Sequence, residues 1–196
     1  TDEDTRELLH TRSQITFSVH HVKLFLQGAL VTIGVSTASM LIAIVLGLWL
    51  ALLRLYGRRP LQLLASAYVE LFRGTPVLLQ LYLLYFGIMP FARARMDFTF
   101  GTEYDALVAA ILGLGLNYAA YESENYRAGF KAVPPGQLEA AQVLGMSTPL
   151  LLRRIMLPQA LRVALPGVTN DFIALLEDSS LVSVITVVEL TKHMQI

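Results

Sequence analysis

The sequence predicts an all-α fold: a polytopic membrane helix bundle of about five helices, the last incomplete here, with a short additional helix on one side. Three observations lead there. The 196 residues are 55% hydrophobic and only 15% charged, whereas ordinary soluble domains carry about 25% charged residues. Residues 24–53 form 30 consecutive positions without a charged side chain, more than the roughly 20 a helix needs to cross about 30 Å of hydrocarbon. Further apolar stretches follow, punctuated by Gly and Pro, and mean hydropathy over the chain is +0.56.

Composition also narrows function. Formal net charge is zero and the 15 Lys and Arg are scattered, so no basic stripe exists to hold a phosphate backbone and nucleic acid is not an expected partner. The absence of Cys removes disulfides, thiolate metal sites and cysteine nucleophiles. His10, His20, His21 and His193 are too dispersed to make a metal set, so no metal is expected. No Gly-rich phosphate loop occurs: the lysines are Lys23, Lys131 and Lys192, and none follows Gly.

In chain order, residues 1–23 are polar and read as an exposed lead-in, and residues 24–196 as the membrane domain. After the first span, "RLYGRRP" (54–60) has the basic bias of a cytoplasmic loop, which sets the N-terminus outside. A second apolar segment is interrupted by "ELFRGTP" (70–76) and then runs charge-free to Ala92, the pattern of a broken span. A third charge-free run, Ala106–Tyr121, is rich in Gly and Ala and suits close helix packing. Residues 122–158, with Arg127, Lys131, Arg153 and Arg154, read as a cytoplasmic loop, and 159–176 as a return into the membrane. A chain that starts at Thr1 and stops just after an apolar run reads as a piece of a longer polypeptide.

The loop carries "VPPGQLEAAQVLGMSTPLLLRRIMLP" (133–158). Pro134, Pro135 and Gly136 end what precedes, and Gln137–Leu144 supplies helix formers. Gly145 falls where a left-handed C-terminal cap is expected, and Ser147 or Thr148 before Pro149 reads as the N-cap of a second helix that ends before Pro158. Ala140 and Ala141 offer a small-residue face, and Glu139 an anion in the first turn.

Glu139, Ala140, Ala141, Gly145, Ile155, Leu157 and Pro158 stand in an order that resembles the "EAA" signature of permease subunits of binding-protein-dependent ABC importers. "YVELFRGTPVLLQLYLLYFGI" (68–88), "AYESENYRAGFKAVPPGQLEAAQVLGMS" (120–147) and "NDFIALLEDSSLVSVI" (170–185) are similar to the branch that takes up polar amino acids. That resemblance implies about five membrane helices in the bacterial inner membrane and pairing with a second permease copy or homologue. It further implies two cytoplasmic ABC ATPase subunits per complex, each gripping the EAA helix as a coupling helix, and an external or fused substrate-binding protein. It implies that this chain binds no cofactor and is not itself an enzyme, ATP and Mg being held by the ATPase. Glu139, Ala140, Ala141, Gly145 and Pro158 are the implied coupling residues. One departure stands out: the family often has Lys-Asp-Thr-Ser where this chain has Glu177, Asp178, Ser179 and Ser180.

Polar groups at membrane depth cost about 2.5–3.5 kcal/mol when charged and mark pathways. Asn117, Asn170 and Asp171 are the candidate substrate path, and the acidic surplus over 170–178 favours a cationic amino acid. Glu70 with Arg73 and Glu124 with Arg127 are spaced three apart, as intrahelical ion pairs are. Gly74 and Pro76 mark a bend beside them. The alternative reading is a secondary transporter or channel not powered by ATP, for which the EAA stretch would have no use.

Overall fold

The computed structural model describes residues 19–96 and 102–182. Within them the chain is helical, without a strand. Helix α1 is Val19–Tyr56, α2 Arg59–Gly74, and α3 Val77–Tyr82, which passes through a π-helical turn, Leu83–Ile88, into α4, Met89–Met96. Helix α5 is Thr102–Lys131, α6 Pro135–Val143, and α7 Thr148–Leu151. A second π-helical turn, Leu152–Met156, joins α7 to α8, Leu157–Asp178, and Ser179–Leu181 forms a 3₁₀ turn. Residues 1–18 of the polar lead-in, 97–101 and the closing residues 183–196 lie outside the described residues; α1 itself begins within the expected lead-in.

Two helical segments, Gly28–Tyr56 and Asp105–Lys131, are long and apolar enough to cross a membrane, and the bent pair Arg59–Gly74 and Val77–Ala92 makes three if it counts as one span. Helix α1 turns Leu30, Val31, Ile33, Leu41, Val45 and Trp49 outward. An apolar outer face on a helix with a packed inner face is what lipid solvates.

Helix α5 is the axis of the molecule and packs against α1, α2, α3 and α8. Its small residues do what the composition suggests: Ala106, Ala109, Ala110, Ala119 and Ala120 are buried. Gly47 of α1 lies so close to α5 that an added Cβ would sit 3.0 Å from the Ala119 carbonyl. At Gly129 an added Cβ would overlap the carbonyl of Ala160 on α8.

One boundary differs from the sequence reading. Residues 122–131 are not loop but the last ten residues of α5, and Glu122, Ser123, Tyr126 and Phe130 are buried there. Charge along this stretch signals internal pairing, not exposure. Glu124 accepts from Arg54 Nη1 at 2.7 Å and from Arg127 Nε at 2.8 Å, and Arg73 Nη1 stands 3.8 Å away. The Glu124–Arg127 pair is therefore as expected, whereas Arg73 turns to Glu124 rather than to Glu70, which is exposed. Arg54 lies in the last turn of α1, not in the following loop.

The break between α2 and α3 bends the pair by 106°. Thr75 is extended at φ −117°, ψ 144°, because a residue preceding Pro is driven from the helical region. Side chains replace the backbone bonds that are lost. Thr75 Oγ1 donates to the Leu71 carbonyl at 2.8 Å, Gln80 Nε2 to the Phe72 carbonyl at 2.8 Å, and Asn117 Nδ2 to Phe72 O at 3.2 Å and Gln80 Oε1 at 3.0 Å. Irregular backbone at membrane depth needs such partners within the protein.

Two substitutions test this packing. Gly129→Ala should lower the thermal midpoint of the purified protein, with an overpacking cost of about 1–3 kcal/mol, while Gly28→Ala, inside α1 where nothing lies within 4 Å, should not lower it and gains up to about 1 kcal/mol from helix propensity. Glu124→Gln should cost roughly 2 kcal/mol, below the ~3–5 of a fully buried pair, because the paired side chains keep 14–31% exposure. Recovery of the midpoint on adding Arg54→Gln would mark the stranded guanidinium as the cause.

Candidate functional site: a helical knob and a polar cavity

The EAA stretch folds into a knob at one end of α5. Helix α6 starts at Pro135, two residues before Gln137, with Pro134 at its N-cap. Its end is a complete left-handed cap: Gly145 has φ +73°, its N–H donates to Gln142 O at 2.9 Å, and the Met146 N–H donates to Ala141 O at 3.1 Å. Both bonds satisfy carbonyls that a helix end leaves open. The early start moves Glu139 out of the first turn, so the helix N-terminus does not account for it.

Ala140 and Ala141 do not share a face. Ala141 is buried against Tyr126, Phe130, Leu151 and Met156, while Ala140 is exposed beside Glu139. The outer surface of the knob is completed by Val143 and Leu144, 87% and 81% exposed. Gln159 Nε2 donates to Gln137 Oε1 at 2.7 Å and ties the knob to α8.

The second helix of the stretch does not stop before Pro158. Ser147 is its N-cap, as expected, but α7 runs through the π-helical turn into α8 without a break, and Pro158 lies in the first turn of α8. In that turn the Leu157 N–H reaches back to Leu152 O. The widened register opens the helix where a proline ring would otherwise press on the preceding turn.

A cavity of about 460 Å³ opens where the α2–α3 break faces α5 and α8. Arg73, Gly74, Thr75 and Pro76 form one wall, Asn117, Tyr118 and Tyr121 the second, Asp171, Ala174 and Asp178 the third. The Arg73 guanidinium lies 5.3 Å from the centroid of the Tyr121 ring, within cation–π range. Asp178 accepts from Tyr118 OH at 2.9 Å, and Asp171 from Asn125 Nδ2 at 2.8 Å. Two carboxyl groups thus face one guanidinium and two aromatic rings, an arrangement with acceptors for a cationic group and a donor for an anionic one.

Of the three expected pathway residues, Asn117 and Asp171 line the cavity and Asn170 does not, being exposed on another face of α8. Asn117 also has a second task, holding the broken backbone. Sequence reasoning overlooked Gln80, Tyr118, Tyr121 and Asn125. The spacing of Asn117, Tyr121 and Asn125 at i, i+4 and i+8 is the signal that marks one polar face on an otherwise apolar helix.

A family model described as "Binding-protein-dependent transport system inner membrane component" matches residues 43–195. The octopine transport system permease protein of Rhizobium radiobacter is 40% identical over 166 residues, 85% of this chain and 68% of the relative. The arginine transport system permease protein of Corynebacterium glutamicum is 39% identical over 161 residues, 79% of this chain and 50% of the relative. Among solved structures, an amino acid ABC transporter crystallised with histidines superposes with a TM-score of 0.73 at 38% identity, covering 86% of this chain and 74% of that one. The MetNI methionine ABC transporter in an inward-facing form superposes at 0.68 with 25% identity, covering 84% and 75%. A family match spanning most of the chain, on a helical fold shared with solved transporters, places this protein in the family of inner-membrane components of binding-protein-dependent transport systems.

Proposed function

We infer that this chain is the membrane subunit of an ATP-driven amino-acid importer, multi-pass in the bacterial inner membrane with its N-terminus outside. The single observation that carries the reading is the knob: a capped helix with an exposed apolar rim, Val143 and Leu144, braced from behind by Ala141 and Gln137. Such a surface suits docking against a partner and transmitting force from it. The partner is a cytoplasmic ATPase, two per complex, which holds ATP and Mg; this chain binds no cofactor and hydrolyses nothing. Glu139, exposed beside Ala140, faces a basic group of that ATPase. A second permease copy or homologue completes the membrane part, and an external or fused binding protein delivers cargo.

Alternating access follows from two states of one bundle, biased by whether the ATPase subunits are closed. Closure moves the knobs, and α8, continuous with α7, carries the motion to the Asp171 and Asp178 wall of the cavity. The cavity supports a cationic amino acid as cargo: Asp171 and Asp178 accept from its ammonium and side-chain donors, and Arg73 meets its carboxylate. That relatives are named for arginine and octopine transport agrees with this choice.

Gly145→Val should leave the protein inserted in the membrane but abolish cargo-stimulated ATP hydrolysis in proteoliposomes, since a Cβ in the left-handed region costs about 1–2 kcal/mol and a β-branched one more. Full coupling in this variant would remove the knob from the mechanism. Uptake of labelled amino acids by the reconstituted importer should favour arginine over glutamate. Asp171→Asn should reduce arginine uptake about tenfold, the factor corresponding to 1.4 kcal/mol of lost binding; preference for glutamate would overturn the assignment.

A further inference from the structure

Glu122 is the one fully buried acid among the described residues, with 0% exposure. Neither of its carboxyl oxygens has a hydrogen-bond partner among those residues, and none of the ion pairs there includes it. Helix α1 presents Gly47, whose bare backbone is what makes room for the Glu122 side chain. Helix α5 itself contributes Asn125 and Tyr126, while Glu124 turns away to Arg54 and Arg127. Helix α8 contributes Asp171, a second carboxyl group. The cation acting on Asp171 is Arg73, which lines the same cavity.

An ionised carboxylate with no cation beside it is costly to bury even where Asn125 and Tyr126 stand near it, and two adjacent carboxyl groups resist ionising together in such a place. One of the pair therefore carries a proton. Asp171 is on the cavity wall, only partly buried, bonded to Asn125 and near Arg73, so the charge resides on Asp171 and the proton on Glu122. We propose that Glu122 and Asp171 form a proton-holding carboxyl pair behind the cavity wall, and that a cationic cargo group reaching Asp171 displaces the proton of Glu122. In that step the Glu122 O–H bond breaks, its electron pair stays on the Glu122 carboxylate, and the proton leaves by way of the neighbouring Asp171 carboxylate, which lines the cavity, to solvent. Cargo charge and proton charge then exchange at one place, and cargo binding and protonation are reciprocally linked. The exchange step rests on the cavity being the cargo site; the protonated state of Glu122 does not.

Infrared spectroscopy of the detergent-purified permease–ATPase complex, with L-arginine as the probe, tests both parts. At neutral pH the wild type without arginine should show the carbonyl band of a neutral carboxylic acid that Glu122→Gln lacks, and saturating arginine should weaken that band. Identical spectra of wild type and Glu122→Gln without arginine would overturn the pair. If arginine is transported yet the band does not change, the exchange step fails. If arginine is neither bound nor transported, the cargo reading fails separately, and the arginine-free spectra still decide the pair. Should Glu122→Gln not assemble, Asp171→Asn replaces it: the band should persist and ignore arginine, and a band that still weakens would overturn the exchange.

Discussion

Glu124 is the point at which three helices are held together. Its carboxylate takes the Arg54 guanidinium from the end of α1 and that of Arg127 from its own helix, with Arg73 from the end of α2 close by. Three guanidinium groups converge on one carboxylate that is partly shielded from water, where a charge left without its partner is costly. The arrangement holds the end of α2 against α5 and, with it, the break that the Gly-Thr-Pro triplet sets at 74–76. The cavity is a consequence of that placement, since its first wall is the broken backbone itself.

The parts legible in the sequence are those set by local stereochemistry. A charge-free run of 30 residues can hardly be anything but a span, a Gly-Thr-Pro triplet dictates an extended residue in mid-helix, and Gly145 after a run of helix formers announces a left-handed cap. Glu124 and Arg127 meet because the α-helix brings residues three apart together. What could not be read depends on neighbours distant in sequence. Arg73 abandons Glu70, three residues away, for Glu124 across an interface, a choice visible only once α2 and α5 are packed.

The same limit explains the remaining differences. Charges over 122–131 resemble a water-exposed loop when counted, but Arg127 is partnered inside the bundle and the helix continues. Adjacent alanines look alike in a motif, yet Ala141 is pressed into the core and Ala140 faces out, because successive helical positions lie about 100° apart. Pro158 reads as a stop, and the chain evades it by a π-helical turn whose wider register no propensity scale encodes. Within the cavity, Asn117 and Asp171 were recognisable, but Arg73 reads in sequence as the partner of Glu70 and the two tyrosines belong to a class that usually fills cores, so only geometry brings them to this wall.

The evasion at Pro158 has a mechanical consequence. Because α7 and α8 are joined without interruption from Thr148 to Asp178, they form a lever arm of about 45 Å at 1.5 Å per residue. A tilt of about 5° imposed at the Thr148 end displaces the far end by roughly 4 Å over that length, comparable to the width of a single side chain. Pro166, inside α8, and the π-helical turn are the two places where this arm can flex. The stiffness of the segment between them sets how much of any displacement at the knob arrives at Asp171.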